Sequence, residues 1–132
     1  MKKIEHIGIA VKNLEEAKAT YELLLDEKPY KDETVTSEGV ITSFFKAGES
    51  KIELLAATNP DSPIAKFIEK RGEGIHHIAF NVADIEKEIK VLEEKGFQLI
   101  NKKAKKGADN KWVAFLHPKS ANGVLVELCQ DV

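Results

Sequence analysis

The sequence predicts an α+β fold in which one βαβββ unit is used twice, and three observations carry that reading. The opening phrase IEHIGIAV, residues 4–11, returns as IHHIAFNV at residues 75–82, 71 positions later. Each phrase alternates with period two, as a half-buried strand does, and is followed by a capping residue and an apolar stripe at helical spacing. Near the end of each half, Ile52-Glu53-Leu54 and Val126-Glu127-Leu128 set one acid between two apolar residues. Aligned without gaps, residues 4–17 and 75–88 share five identities, and Gly8/Ala79, Ile9/Phe80 and Leu14/Ile85 keep their sides.

The elements follow in chain order. Residues 4–11 form a strand with Ile7, Ile9 and Val11 on one face and His6, Gly8 and Ala10 on the other. Asn13 caps a helix carrying Leu14, Ala17, Tyr21 and Leu24. Weaker strands are expected at 29–36 and 39–47, and a firmer one at 51–55. A short helix over about 61–72 is announced by Asp61 or Ser62 as cap with Pro63 at its first position, and Gly72 and Gly74 end it. Residues 75–82 open the second half, with His77, Ala79 and Asn81 opposite Ile78, Phe80 and Val82. Asp84 caps a helix with Ile85, Ile89 and Leu92 in one stripe, and Gly96 stops it. Strands are expected at 97–102, 111–117 and 123–129. The organisation is therefore one domain over residues 1–132, with repeats at about 3–57 and 74–131 joined by the 61–72 helix. Neither half covers its own apolar face well, and stacking two halves meets that need.

The chain has 132 residues, 42% apolar and 32% charged, which reads as an ordinary soluble globular protein. A net charge of −2 argues against a nucleic-acid partner. The first apolar run ends at Lys12, too soon for a membrane span or a signal segment, so no membrane association is expected. The single cysteine, Cys129, cannot form an internal disulfide, and a reducing, cytoplasmic home follows as the expectation.

The repeat chooses between the adjacent histidines. His6 aligns with His77, whose face carries the small Ala79 and Asn81, while His76 aligns with Glu5 and falls with Ile78. If Ile52, Leu54, Val126 and Leu128 face the core, Glu53 and Glu127 point the other way, toward the face of His6 and His77. One histidine at a strand start is usually structural, and one Glu in a strand usually wet; four at matching places of a duplicated unit favour function. Two imidazoles and two carboxylates suit a divalent metal in an open, roughly octahedral site. Such a site polarises a carbonyl while a carboxylate moves a proton.

HIGIAV, DSPIAKFIEKRGEGIHHIAF and VAFLHPKSANGVLVEL together resemble the methylmalonyl-CoA epimerase family of the vicinal-oxygen-chelate superfamily, which also includes glyoxalase I. The resemblance covers essentially the whole chain. It implies paired βαβββ modules curving a mixed sheet around a metal, a homodimer, an acyl-CoA substrate, and interconversion of (R)- and (S)-methylmalonyl-CoA. The family's metal ligands fall on His6, Glu53, His77 and Glu127; cobalt, manganese, zinc, nickel and magnesium are all compatible with them. Glu127 is the first choice for one proton-transfer group and Glu53 for the other. Some relatives carry a second catalytic Glu three residues after the Gly of an E-G-V segment, where this chain has Thr42. A metal-bound water and Glu38 are the alternatives to Glu53.

His117, Lys119 and Ser120 of the HPKS segment are expected to lie over the site and hold a carboxylate, against the plainer reading of a turn. The run Lys102–Lys106 either meets coenzyme A phosphates or is a solvated loop. Asp109-Asn110 with Trp112 departs from the family and is expected to alter the pocket rim. Cys129 reads as a packing residue. A glyoxalase I-like lyase would use similar ligands, and a metal-free small-molecule binder would keep the fold without them.

Overall fold

The computed structural model describes residues 2–132. In chain order the elements are β1 (Lys3–Ala10), α1 (Leu14–Leu25), β2 (Lys31–Val35), β3 (Val40–Ala47), β4 (Ser50–Ala57), α2 (Pro63–Arg71), β5 (Gly74–Asn81), α3 (Ile85–Glu94), β6 (Lys105–Gly107), β7 (Lys111–Leu116) and β8 (Val126–Asp131). They form two compact units, residues 6–76 and residues 77–132 together with residues 2–5. Among the described residues no helix is long and apolar enough to cross a membrane.

In the first unit β1 pairs parallel with β4, β4 antiparallel with β3, and β3 antiparallel with β2. The register puts His6, Gly8 and Ala10 on one face with Glu53, Leu55, Thr42 and Phe44. The opposite face packs on α1, in a core of Val11, Leu14, Phe45, Leu54 and Ala56. Asn13 Oδ1 accepts the Glu16 N–H at 3.0 Å and so starts α1 as the sequence requires. The last turn differs from expectation: Leu25, four residues after Tyr21, joins the core, and Leu24 is 69% exposed. On the face of His6, α2 covers one end of the sheet by seating Ile64 with Ala10, Val40 and Leu55. Ser62 caps α2 by accepting the Ala65 N–H, with Pro63 following. Gly39 adopts φ +64°, and a Cβ there would lie 2.8 Å from both Asn59 and Ser62, so only glycine fits beneath this cap.

In the second unit β5 pairs parallel with β8, β8 antiparallel with β7, and β7 antiparallel with β6. One face packs on α3 through Val82, Ile85, Ile89, Leu99, Ala114, Leu116 and Leu128. The other carries Ala79, Val113, Phe115 and Cys129. Asp84 caps α3 on the Lys87 N–H, and Gly96 follows its end at φ +96°. Residues 2–5 attach through ion pairs of Lys2 with Glu88 and Glu5 with Lys111.

The strand expected at 97–102 is absent; a single bridge joins Leu99 to Leu116. The Ile100 N–H does donate to Phe115 O, and the His117 N–H to Gln98 O. Between them the Asn101 side chain takes the Phe115 N–H at 2.9 Å, so the ladder cannot propagate. The strand that follows α3 is instead β6, which starts within the Lys102–Lys106 run and ends at Gly107. A turn with Asp109 and Asn110 at φ +57° and +56° links it to β7. The closing strand begins at Val126 rather than 123, after a longer loop.

Candidate active site

Each unit builds the same buried pair. In the first, Gly8 stands opposite Glu53 in the parallel register. His6 Nε2 lies 3.4 Å from Glu53 Oε1, and both residues are 5% exposed. In the second, the small Ala79 stands opposite Glu127, and His77 Nε2 lies 3.3 Å from Glu127 Oε1. These residues too are almost fully buried. The structure therefore brings the four expected side chains together as two pairs, one in each unit.

The donor chemistry fits a metal. Burying a carboxylate is costly unless a cation compensates it. The 3.3–3.4 Å separations exceed the roughly 2.7–2.9 Å of a charge-assisted hydrogen bond. They match two ligand atoms each about 2.0–2.2 Å from one ion, which stand roughly 3 Å apart in octahedral or tetrahedral geometry.

The structure also reveals two residues that the strand pattern alone did not single out. Phe44 lies directly across from Glu53, and Phe115 directly across from Glu127. Phe115 also meets the His77 ring edge-on, at 6.1 Å and 81°. The two phenylalanines are 71 positions apart, the same offset as His6 and His77, so carrying the repeat past its first strand finds them. Each acid thus has a phenylalanine as its cross-strand neighbour.

The adjacent histidine behaves as expected of a packing residue: His76 is half-buried and meets the edge of Phe67 in α2 at 4.9 Å. Thr42, 1% exposed, donates its hydroxyl to Glu33 O. Cys129 packs with Ala79, Val113 and Phe115, and its thiol donates to Phe80 O at 3.6 Å. His117 and Ser120 hold their own loop, a 3₁₀ turn over Pro118–Ala121. His117 Nδ1 accepts the Lys119 N–H, and Ser120 Oγ accepts the Gln98 N–H. Lys119 is exposed.

Trp112 corrects an expectation: it packs against the α3 core, on the face opposite Glu127, and so is no part of a rim beside that acid. Lys106 sits over its ring at 5.1 Å, which commits part of the Lys102–Lys106 run to that same outer face.

The sequence profile of the glyoxalase/bleomycin resistance protein/dioxygenase superfamily matches residues 5–115. The ethylmalonyl-CoA/methylmalonyl-CoA epimerase of Cereibacter sphaeroides is 41% identical over 130 residues, spanning 97% of each chain. The human mitochondrial methylmalonyl-CoA epimerase is 39% identical over 129 residues, spanning 97% of this chain and 73% of that one. A solved single-site variant of the Streptomyces coelicolor methylmalonyl-CoA epimerase, in complex with 2-nitronate-propionyl-CoA, superposes with a TM-score of 0.94. It is 32% identical over 98% of this chain and 94% of that one. The two matched βαβββ halves, the twice-built histidine–glutamate pair and this full-length similarity place the chain in the glyoxalase/bleomycin resistance protein/dioxygenase superfamily, within its methylmalonyl-CoA epimerase family.

Proposed function

We propose that this chain interconverts (R)- and (S)-methylmalonyl-CoA by moving the α-hydrogen of the thioester from one face of the carbon to the other. The observation that carries the reading is the histidine–glutamate pair built twice from equivalent strands. Inverting a carbon centre needs one proton-transfer group on each side, and a duplicated unit supplies two of the same kind.

His6, Glu53, His77 and Glu127 would together hold a divalent metal. One pair offers two donors, whereas such ions take about four to eight ligands, so sharing one ion between both pairs is the economical arrangement. When bound, the ion supplies positive charge against the negative charge that grows on the thioester oxygen as the α-hydrogen leaves. Glu127 takes the α-hydrogen as a proton: the C–H bond breaks and its electron pair delocalises into the thioester carbonyl. Glu53 delivers a proton to the opposite face, remaking the C–H bond. In the reverse direction the two acids exchange roles. Phe44 and Phe115 keep water from the carboxylates, and the edge of Phe115 fixes the His77 ring. The exposed Lys119 of the 117–121 turn holds the substrate carboxylate. The protein works as a homodimer in the cytoplasm.

The test is exchange chemistry. Incubation with (R)-methylmalonyl-CoA and a divalent ion in deuterated buffer is expected to place deuterium at the α-carbon and to yield the (S)-epimer. Activity confined to methylglyoxal with glutathione would overturn the reading in favour of a glyoxalase I-like lyase. Purified protein that never takes up divalent metal would favour a small-molecule binder.

A further inference from the structure

The two units hold their cross-strand phenylalanines by different means. In the first, Phe44 has a strand on each side: Lys31 of β2 is its register partner on one edge and Glu53 of β4 on the other. In the second, β6 pairs with β7 no farther than Val113, two residues short of Phe115. Phe115 O accepts the Ile100 N–H at 2.8 Å, and the Phe115 N–H donates to Asn101 Oδ1 at 2.9 Å. A strand residue points its N–H and C=O to the same side. Both polar backbone groups of Phe115 therefore turn away from β8, and Phe115 with Glu127 is a non-hydrogen-bonded pair. Of the two bonds that do hold Phe115, the one from Ile100 is backbone and survives any substitution. The other depends on a single side chain.

Phe115 matters because of what its ring meets. The His77 ring lies edge-on to it, at 6.1 Å and 81°, and His77 Nε2 lies 3.3 Å from Glu127 Oε1. An imidazole turns about its second side-chain torsion in a broad well, so a neighbouring ring decides which orientation it keeps. The Phe115 N–H needs an acceptor, which commits Asn101 to facing it with oxygen. Take that oxygen away and the half-buried Phe115 has only water to offer its N–H, with that edge of β7 released.

We propose that Asn101 is a positioning residue for the histidine–glutamate pair of the second unit. Through the Phe115 N–H it holds the Phe115 ring, and the ring holds the His77 imidazole with Nε2 beside Glu127. The role rests on the reading of His77 as a metal ligand, but the hold on its ring exists without metal and is measured without it.

Proton NMR of the chelator-treated protein reads that hold. The ring current of Phe115 displaces the His77 Hδ2 and Hε1 resonances, and Phe115→Leu supplies their undisplaced positions. Asn101→Ala is expected to move both toward the Phe115→Leu values. Asn101→Asp, which keeps an oxygen for the Phe115 N–H, is expected to leave them as in the wild type. His76, one position away and edge-on to Phe67, is the control and should keep its shifts throughout. Unmoved His77 resonances in Asn101→Ala overturn the proposal, and so does a displacement shared by His76 or reproduced by Asn101→Asp. If Asn101→Ala does not fold, Asn101→Ser, one bond too short for the contact, takes its place with the same outcomes.

Titration with Co²⁺ measures the consequence. Affinity should fall about tenfold in Asn101→Ala, the low end of the loss seen when a ligand's supports are disturbed, and stay within about twofold in Asn101→Asp. Equal affinities of wild type and Asn101→Ala would overturn the proposal. A wild type that takes up no Co²⁺ would refute the metal reading instead, and the NMR comparison would still decide whether Asn101 sets the His77 ring.

Discussion

Replacing His77 and His76 in turn separates a metal ligand from a packing residue one position away. In His77→Ala, Glu127 loses the imidazole 3.3 Å from its carboxylate, at a place where both residues are almost fully buried. Stranding a buried polar group costs about 1–3 kcal/mol, and more when the group is charged. Removal of the ring also takes away the surface against which Phe115 rests. Metal affinity should fall more than a hundredfold, since altering only the partners of a ligand already costs about 10–100-fold. The half-buried His76 contributes an edge contact with Phe67, and His76→Ala should cost about 1 kcal/mol with metal uptake intact. Metal content by mass spectrometry after dialysis against a defined ion, and thermal melts with and without that ion, measure both effects. The wild type and His76→Ala should gain stability with the ion, and His77→Ala should not. His77→Gln, which keeps a polar atom in the cavity, serves if the alanine variant does not fold. Equal metal loss from the two sites would refute the assignment.

Glu53→Gln and Glu127→Gln should each lower kcat at least a hundredfold, while solvent deuterium exchange from the two substrate epimers should be affected unequally. Equal loss with both epimers would argue against one acid per face. Gly39→Ala should destabilise the fold by about 2 kcal/mol or more, because the left-handed φ and the 2.8 Å approach to Asn59 and Ser62 both penalise a Cβ. Denaturant melts read this directly. The Lys18–Asp32 ion pair, 2.7 Å long, gives a pH signature. Burial pushes the Asp32 carboxyl up, but the Lys18 ammonium hydrogen-bonded to it wins and holds it below the usual carboxylate range. Lys18 in turn is raised, chiefly by that hydrogen bond. The Asp32 contribution is therefore present above its unfolded value of about 3.9 and lost as pH falls through its lower folded value. The Lys18 contribution is full below about 10.4 and lost only as pH rises through its raised folded value. Asp32→Asn should cost about 0.2–1 kcal/mol across neutral pH, and the difference should fade in acid.

The repeat made the essential geometry legible, because period-two alternation fixes which side chains share a face. That is how His6 rather than Glu5, and His77 rather than His76, came to stand beside an acid. The helix caps Asn13, Ser62 and Asp84 were legible for a similar reason: their hydrogen bonds close within three residues. What was hidden depended on partners remote in sequence. Residues 97–102 have the composition of a strand, yet Asn101 diverts the Phe115 N–H that a ladder would use. The departure of Asp109-Asn110 with Trp112 from the family pattern points to the rim, whereas the register parity of Trp112 commits it to α3. The cross-strand place of Phe44 cannot be read without the β3–β4 register.

Residues 2–5 precede the first unit in sequence but belong to the second, through the ion pairs of Lys2 and Glu5. Trimming or tagging the amino end therefore perturbs the carboxy-terminal half before its own. An attempt to split the protein at the seam of the duplication would deprive the later fragment of material it borrows from the opening residues.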